Sequence, residues 1–217
     1  MNYFDYSNFD YDEVNKAIGL FMKYFPFENY EMTSVFLSHA KVLYDAMYDQ
    51  TVRLTRWSIE NNTDFRILKN SVNEMWSPKA GVSVSGWQIV AISKPIYDMI
   101  RDENYDEMKK LGQLHRSHMF TSQRLKEYFI YRILVLDDQV SFEEFANILW
   151  FCDSTIYSSA KENSYFDIFN YKGKEEEWSN YVRNSSVRIT NTELYQKTHG
   201  YMENALKNPA NRNSLLR

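Results

Sequence analysis

The chain has 217 residues, 44% of them hydrophobic and 25% charged, which is the composition of a folded protein with one large domain or a core domain and an appendage. Aromatic residues reach 17%, whereas 6 Gly and 4 Pro are too few for a turn-rich sandwich or barrel and favour helices. A formal net charge of −4 argues against a uniformly cationic nucleic-acid binder.

The opening Met1-Asn-Tyr-Phe-Asp-Tyr6 has no basic stretch and no apolar core, so a signal peptide is not expected. Nor does any apolar run approach the ~20 residues that span a bilayer. A cytoplasmic location without a membrane partner is the expectation. A first helix is predicted from about Asp10 or Asp12 to just before Pro26, with Ile18, Leu20, Phe21 and Phe25 as its apolar stripe. A long helix follows from about Glu28 to Glu60, on the spacing of Met32, Phe36, Leu43, Met47, Leu54 and Trp57. Thr63 reads as the cap of a helix through Trp76, ended by Ser77-Pro78.

Residues 79–92 alternate Val82, Val84, Ile89, Val90 and Ile92 between glycines, and predict a minor strand pair near 82–92. This is also the best boundary between an N-terminal helical region, 1–78, and the remaining 79–217, although the two could form one continuous domain. Ser93 and Pro95 start another helix through Ile100, and Thr121 precedes a helix over 121–135. Three capping boxes follow, Ser141…Glu144, Ser159…Glu162 and Thr190…Glu193. The single cysteine, Cys152, lies in the apolar run Ile148-Leu-Trp-Phe-Cys152, excludes an intramolecular disulfide and reads as a buried thiol. Glu175-Glu-Glu177 reads as the acidic first turn of a helix. The fold expected is mainly α, with about eight helices and the minor strand pair.

Charge is unevenly distributed. Residues 1–50 carry a net −5 and 137–177 a net −7, while 51–136 and 178–217 each carry +4. The basic stretches could form a phosphate-facing surface, or be ordinary solvated helix. No phosphate-binding glycine loop, nucleophile elbow or Glu-x-x-His pair is present. Of the four histidines, His39 sits in the long helix and His199 near a helix end. His115 and His118 share Leu114-His-Arg-Ser-His118 and would lie on one face if that segment were helical.

Two blocks carry the functional reading, His118-Met-Phe-Thr-Ser-Gln123 and Thr155-Ile-Tyr-Ser-Ser-Ala-Lys-Glu-Asn163. The first resembles the Asp-His-x-x-Ser-Pro-Gln segment of HNH-type site-specific endonucleases of large phages and related viruses. The second is similar to their Thr-Ile-x-Val-Thr-x-Glu-Glu-Asn segment, and Phe142–Cys152 to their connecting helix. The resemblance covers 113–170. It implies a ββα unit there, His118 as general base, Asn163 beside one divalent ion such as Mg²⁺, and Arg116 or Arg124 near the scissile phosphate. Lys126 and Lys161 are the further candidates for contact with double-stranded DNA. The family has an acidic metal ligand where this chain has Ser117, so Asp153 becomes the candidate for the missing charge. Three functions are therefore expected: a metal-dependent DNA endonuclease of phage or mobile-element type, an inactive DNA-binding descendant, or a non-enzymatic protein that binds a phage or host partner through exposed aromatic anchors.

Overall fold

The computed structural model describes residues 11–27, 32, 34–76, 88–102, 104, 106–107, 114–152 and 154–188. It is mainly helical, with a four-stranded sheet. Contacts divide the chain into two compact units that do not follow sequence order. Six α-helices and a π-helical turn before residue 76 and between 122 and 152, among the described residues, build one unit; the strands and the elements attached to them build the other. Among the described residues no helix is long and apolar enough to cross a membrane.

The helical unit starts with α1 (Tyr11–Lys23), which carries Asp12 and Glu13 in its first turn and Lys23 in its last, each complementing the helix dipole. Val14, Ile18 and Phe21 recur at helical spacing and are buried. Then comes α2 (Ser34–Leu43), a π-helical turn over Tyr44–Tyr48, and α3 (Asp49–Glu60), joined without a break in helical backbone. The π turn corrects the stripe expected for this rod. Phe36, Ala40, Leu43 and Met47 are buried, and an unbroken α-helix would next bury Gln50, Leu54 and Trp57. The π turn adds one residue, and Thr51, Thr55 and Ser58, each one later, are buried together with Val52. Trp57 is turned outward and is 52% exposed.

Asp64, not Thr63, caps α4 (Phe65–Met75): its Oδ1 accepts from the amide of Arg66 at 2.7 Å. The stop at Ser77-Pro78 lies outside the described residues. Helix α6 (Ser122–Leu136), with Thr121 at its N-terminus as expected, packs against α1, α3 and α4. It ends in the left-handed Asp137, and α7 (Phe142–Cys152) then starts behind Ser141, whose Oγ accepts from the amide of Glu144 at 3.1 Å. The core is aromatic. Phe129 stacks on Trp76 at 6.0 Å and on Phe145 at 5.2 Å, and meets Tyr48 edge-on at 5.2 Å.

The sheet unit contains β1 (Gln88–Ser93), β2 (Leu114–His118), β3 (Ser154–Ser159) and β4 (Ser186–Arg188), in the order β2-β3-β1-β4. β1 runs parallel to β3 and antiparallel to β4, and β2 runs antiparallel to β3. Of the strand pair expected near 82–92, the part from Gln88 onward is present as β1. Residues 79–87 lie outside the described residues, and β1 already has β3 on one side and β4 on the other. Helix α5 (Lys94–Arg101) begins directly after β1, with Pro95 in its first turn as expected. Two 3₁₀ turns (Asn163–Phe166, Ile168–Tyr171) and α8 (Glu175–Ser185) complete the unit. The acidic run does occupy the first turn of α8. The buried Trp178 donates from Nε1 to the carbonyl of Phe166 at 2.8 Å, fastening that helix to the first 3₁₀ turn.

Candidate functional site

Of the residues singled out by the nuclease resemblance, Arg116 and His118 lie on β2 and Asn163 lies after the turn that follows β3. Residues directly opposed in an antiparallel pair share a face of the sheet, and neighbours along a strand alternate. His115 opposes Ser158 and Ser117 opposes Ile156, so these four lie on one face. His118 opposes Thr155 on the other. The expected shared face for His115 and His118 is thus overturned: a spacing of three puts them together on a helix but on opposite sides of a strand.

Ser117 is fully buried, and its hydroxyl lies 2.5 Å from that of Ser158. The position that would need an acidic ligand therefore holds a hydroxyl committed to a cross-strand hydrogen bond. His118 is half-buried, with Nε2 shielded from solvent. The backbone of Arg116 sits in β2 opposite Tyr157, while its side chain lies outside the described residues.

After β3 only the carboxylate half of the expected capping box forms, and it closes a turn instead of starting an α-helix; the Ser159 hydroxyl donates to that carboxylate instead of accepting from the Glu162 amide. The amide of Glu162 donates to Ser159 O at 3.1 Å. In return, Glu162 Oε2 accepts from the Ser159 amide at 3.0 Å, from Ser159 Oγ at 2.7 Å and from Ser93 Oγ at 3.1 Å. One carboxylate oxygen thereby joins the C-terminal ends of the parallel strands β1 and β3. Local spacing marks Glu162 only as a helix-capping residue, because its third donor, Ser93, is 69 positions away.

Asn163 opens the 3₁₀ turn and is exposed. From here the chain doubles back along β2 until the amide of Ile168 donates to Met119 O at 3.1 Å. Glu162 therefore stays at the Ser159–Leu114 end of the strand pair, and His118 occupies the other end. The four steps from Leu114 to His118 span roughly 13 Å at the rise of a β-strand. His118 and Asn163 are not brought to one point. Among the described residues no group of three or more His, Cys, Asp or Glu could hold a metal ion. Asp153 lies outside the described residues. The donors present do not fit a divalent ion shared by His118 and Asn163. β2 and β3 pair antiparallel, as the strands of a ββα unit would, but α6 and α7 separate them in sequence and a 3₁₀ turn replaces the α-helix.

The proposed DNA contacts also divide. Arg124 and Lys126 are on α6, where two positions correspond to a rotation of about 200° and point the side chains apart. Arg124 Nη1 donates to Glu127 at 3.1 Å, and Glu127, itself buried, also takes Lys69 Nζ at 2.6 Å and Gln123 Nε2 at 3.1 Å. Burial lowers the pKa of Lys126. Lys161 is exposed, in the turn after β3 of the other unit.

One cluster had no sequence signal. Tyr165 and Tyr171 of the 3₁₀ turns lie 6.1 and 6.2 Å, centroid to centroid, from Tyr181 of α8, with Phe166 at 5.8 Å from the same ring. Spacings of six and ten residues match neither helical nor strand periodicity, so only the return of α8 over the 3₁₀ turns assembles them. No family model, curated protein or solved structure matches this chain.

Proposed function

We propose that this chain is a non-catalytic binding protein that acts through contact with another protein, and that its nuclease-like blocks serve the packing of the sheet. The observation that carries this reading is the offset of His118 and Asn163 towards opposite ends of β2. Hydrolysis through one ion needs base, metal-side ligand and phosphate within a few ångströms of one another. The neighbouring groups already have structural partners: Ser117 holds Ser158, and Glu162 holds Ser93 and Ser159. Exposed aromatic side chains supply anchors of the kind that protein interfaces use, with Tyr165 54% and Trp57 52% exposed. The phage or mobile-element setting suggested by the resemblance makes a phage or host protein the expected partner. A cytoplasmic location belongs to the same reading; the single cysteine, Cys152, is buried.

The test is incubation of supercoiled plasmid with the wild type and with His118→Ala, in Mg²⁺ and in Mn²⁺. Neither protein is expected to nick. Metal-dependent nicking by the wild type that His118→Ala abolishes would restore the endonuclease and remove this proposal. Tight, salt-sensitive binding of double-stranded DNA without cleavage would replace it by the DNA-binding descendant.

A further inference from the structure

We propose that the patch formed by Tyr165, Tyr171 and Tyr181, together with Glu177 at the start of α8, receives an arginine-bearing extended segment of a partner protein. This deepens the binding-protein reading and rests on it.

The patch has a fixed base and an accessible top. Beneath it, Phe166, Ile168, Trp178 and Val182 are buried, and the Trp178–Phe166 hydrogen bond ties α8 to the first 3₁₀ turn. Above it, Tyr165 is 54% exposed, and Tyr171 and Tyr181 are half-buried. Burial raises the pKa of Tyr171, and the neighbouring Tyr181, Tyr165 and Glu177 raise it further, because each disfavours another negative charge close by. Three phenols and a carboxylate thus share one small surface. Such a surface is electronegative at its ring faces and at its acid, and a cation relieves both.

Charge identifies the occupant. Glu175, Glu176 and Glu177 fill the first turn of α8, and Glu177 is close enough to Tyr171 to disfavour its phenolate. Glu177 pairs with Lys174 at 3.3 Å, but both side chains are about two-thirds exposed (64% and 65%), and such a pair exchanges readily for a better-placed cation. A nucleic acid would also stack on tyrosines, yet its phosphates would meet this acidic field. Guanidinium matches the surface on both counts: its plane stacks on aromatic faces, and its fork pairs with a carboxylate through two hydrogen bonds. A lysine ammonium offers the charge without the plane. Tyrosines lend themselves to such a surface because they add contact area at little cost in side-chain entropy.

The test uses the full chain and two flexible synthetic peptides, identical except that one carries spaced arginines and the other lysines. Binding is followed by calorimetry and by the tyrosine ring resonances. The arginine peptide is expected to bind, with the lysine peptide about fivefold weaker. Tyr165→Ala, at an exposed position, should weaken the arginine peptide about fivefold, and Glu177→Gln should flatten its salt dependence. Circular dichroism confirms that both variants keep the fold. Equal binding of the two peptides, indifference to Tyr165→Ala, no binding of either peptide, or a preference for an oligonucleotide overturns the proposal. If a purified partner binds but ignores Tyr165→Ala, this patch is wrong and the binding-protein reading stands. Metal-dependent plasmid nicking would end that reading itself.

Discussion

Around Tyr48 the helical unit buries large rings whose polar ends each reach one fixed partner, whereas along β3 the sheet unit buries small hydroxyls that serve one another. In the helical unit, Tyr48 Oη accepts from the amide of Val140 at 2.9 Å, and Tyr44 Oη donates to the carbonyl of the same residue at 2.9 Å. Trp76 Nε1 donates to Thr51 Oγ1 at 2.9 Å, and Thr51 passes its own hydrogen to Met47 O at 2.8 Å. Arg132 donates to Tyr128, Glu144 and Asp138. Burial alone would depress the Arg132 guanidinium, but those hydrogen bonds raise its pKa overall. In the sheet unit, Ser93, Ser117, Ser154, Thr155 and Ser158 are buried within or at the ends of the strands. Residues that resemble a chemical site can be structural in either setting, because burying a polar group is costly unless it is hydrogen-bonded.

The largest expected effect lies in the helical unit. Trp76→Ala removes a buried ring stacked on Phe129 and leaves Thr51 Oγ1 without its donor, and should cost about 3–5 kcal/mol in chemical denaturation. A cost below about 1 kcal/mol would mean that this core is less tightly built than its ring contacts indicate. Tyr48→Phe keeps the ring but orphans the buried amide of Val140, with an expected loss of about 1–3 kcal/mol. Tyr44→Phe should cost less, because a carbonyl retains other ways of being solvated.

Alkaline pH sharpens the same contrast. Burial, the largest influence, pushes the Tyr48 phenol from 10.0 up to about 12. A folded pKa above the unfolded one gives stability that is complete below pH 10 and lost as pH rises towards 12. Unfolding followed over that window should show wild-type stability falling more steeply than that of Tyr48→Phe; parallel curves would remove Tyr48 as the cause. In the sheet unit, Glu162→Ala deprives two serine hydroxyls and one amide of their acceptor and should cost about 1–2 kcal/mol, the half-exposed site allowing water to compensate in part. Ser117→Ala is expected to cost least, under about 1 kcal/mol, because Ser158 Oγ also reaches Ser159 O at 3.4 Å. A loss as large as that of Trp76→Ala would erase the distinction between the units.

The sequence by itself determined the local elements. Apolar spacing and caps located α1, α4, α5, α6 and α7 to within a few residues, and the acidic run located the start of α8, because these signals act over one or two helical turns. Ser141…Glu144 marked a helix start correctly, through the Ser141 hydroxyl that accepts from the Glu144 amide, while Ser159…Glu162 marked a turn, through the Glu162 carboxylate that accepts from the Ser159 amide; such local bonds can close either structure. Tertiary structure alone decided which strands pair, that Leu114–His118 is a strand and not a helix, and that Asn163 leaves His118 behind along β2. It also decided that a π turn at Tyr44–Tyr48 rotates Trp57 outward. Strand partners and face rotations depend on residues tens of positions apart, where sequence spacing exerts no local force and only packing selects among the alternatives.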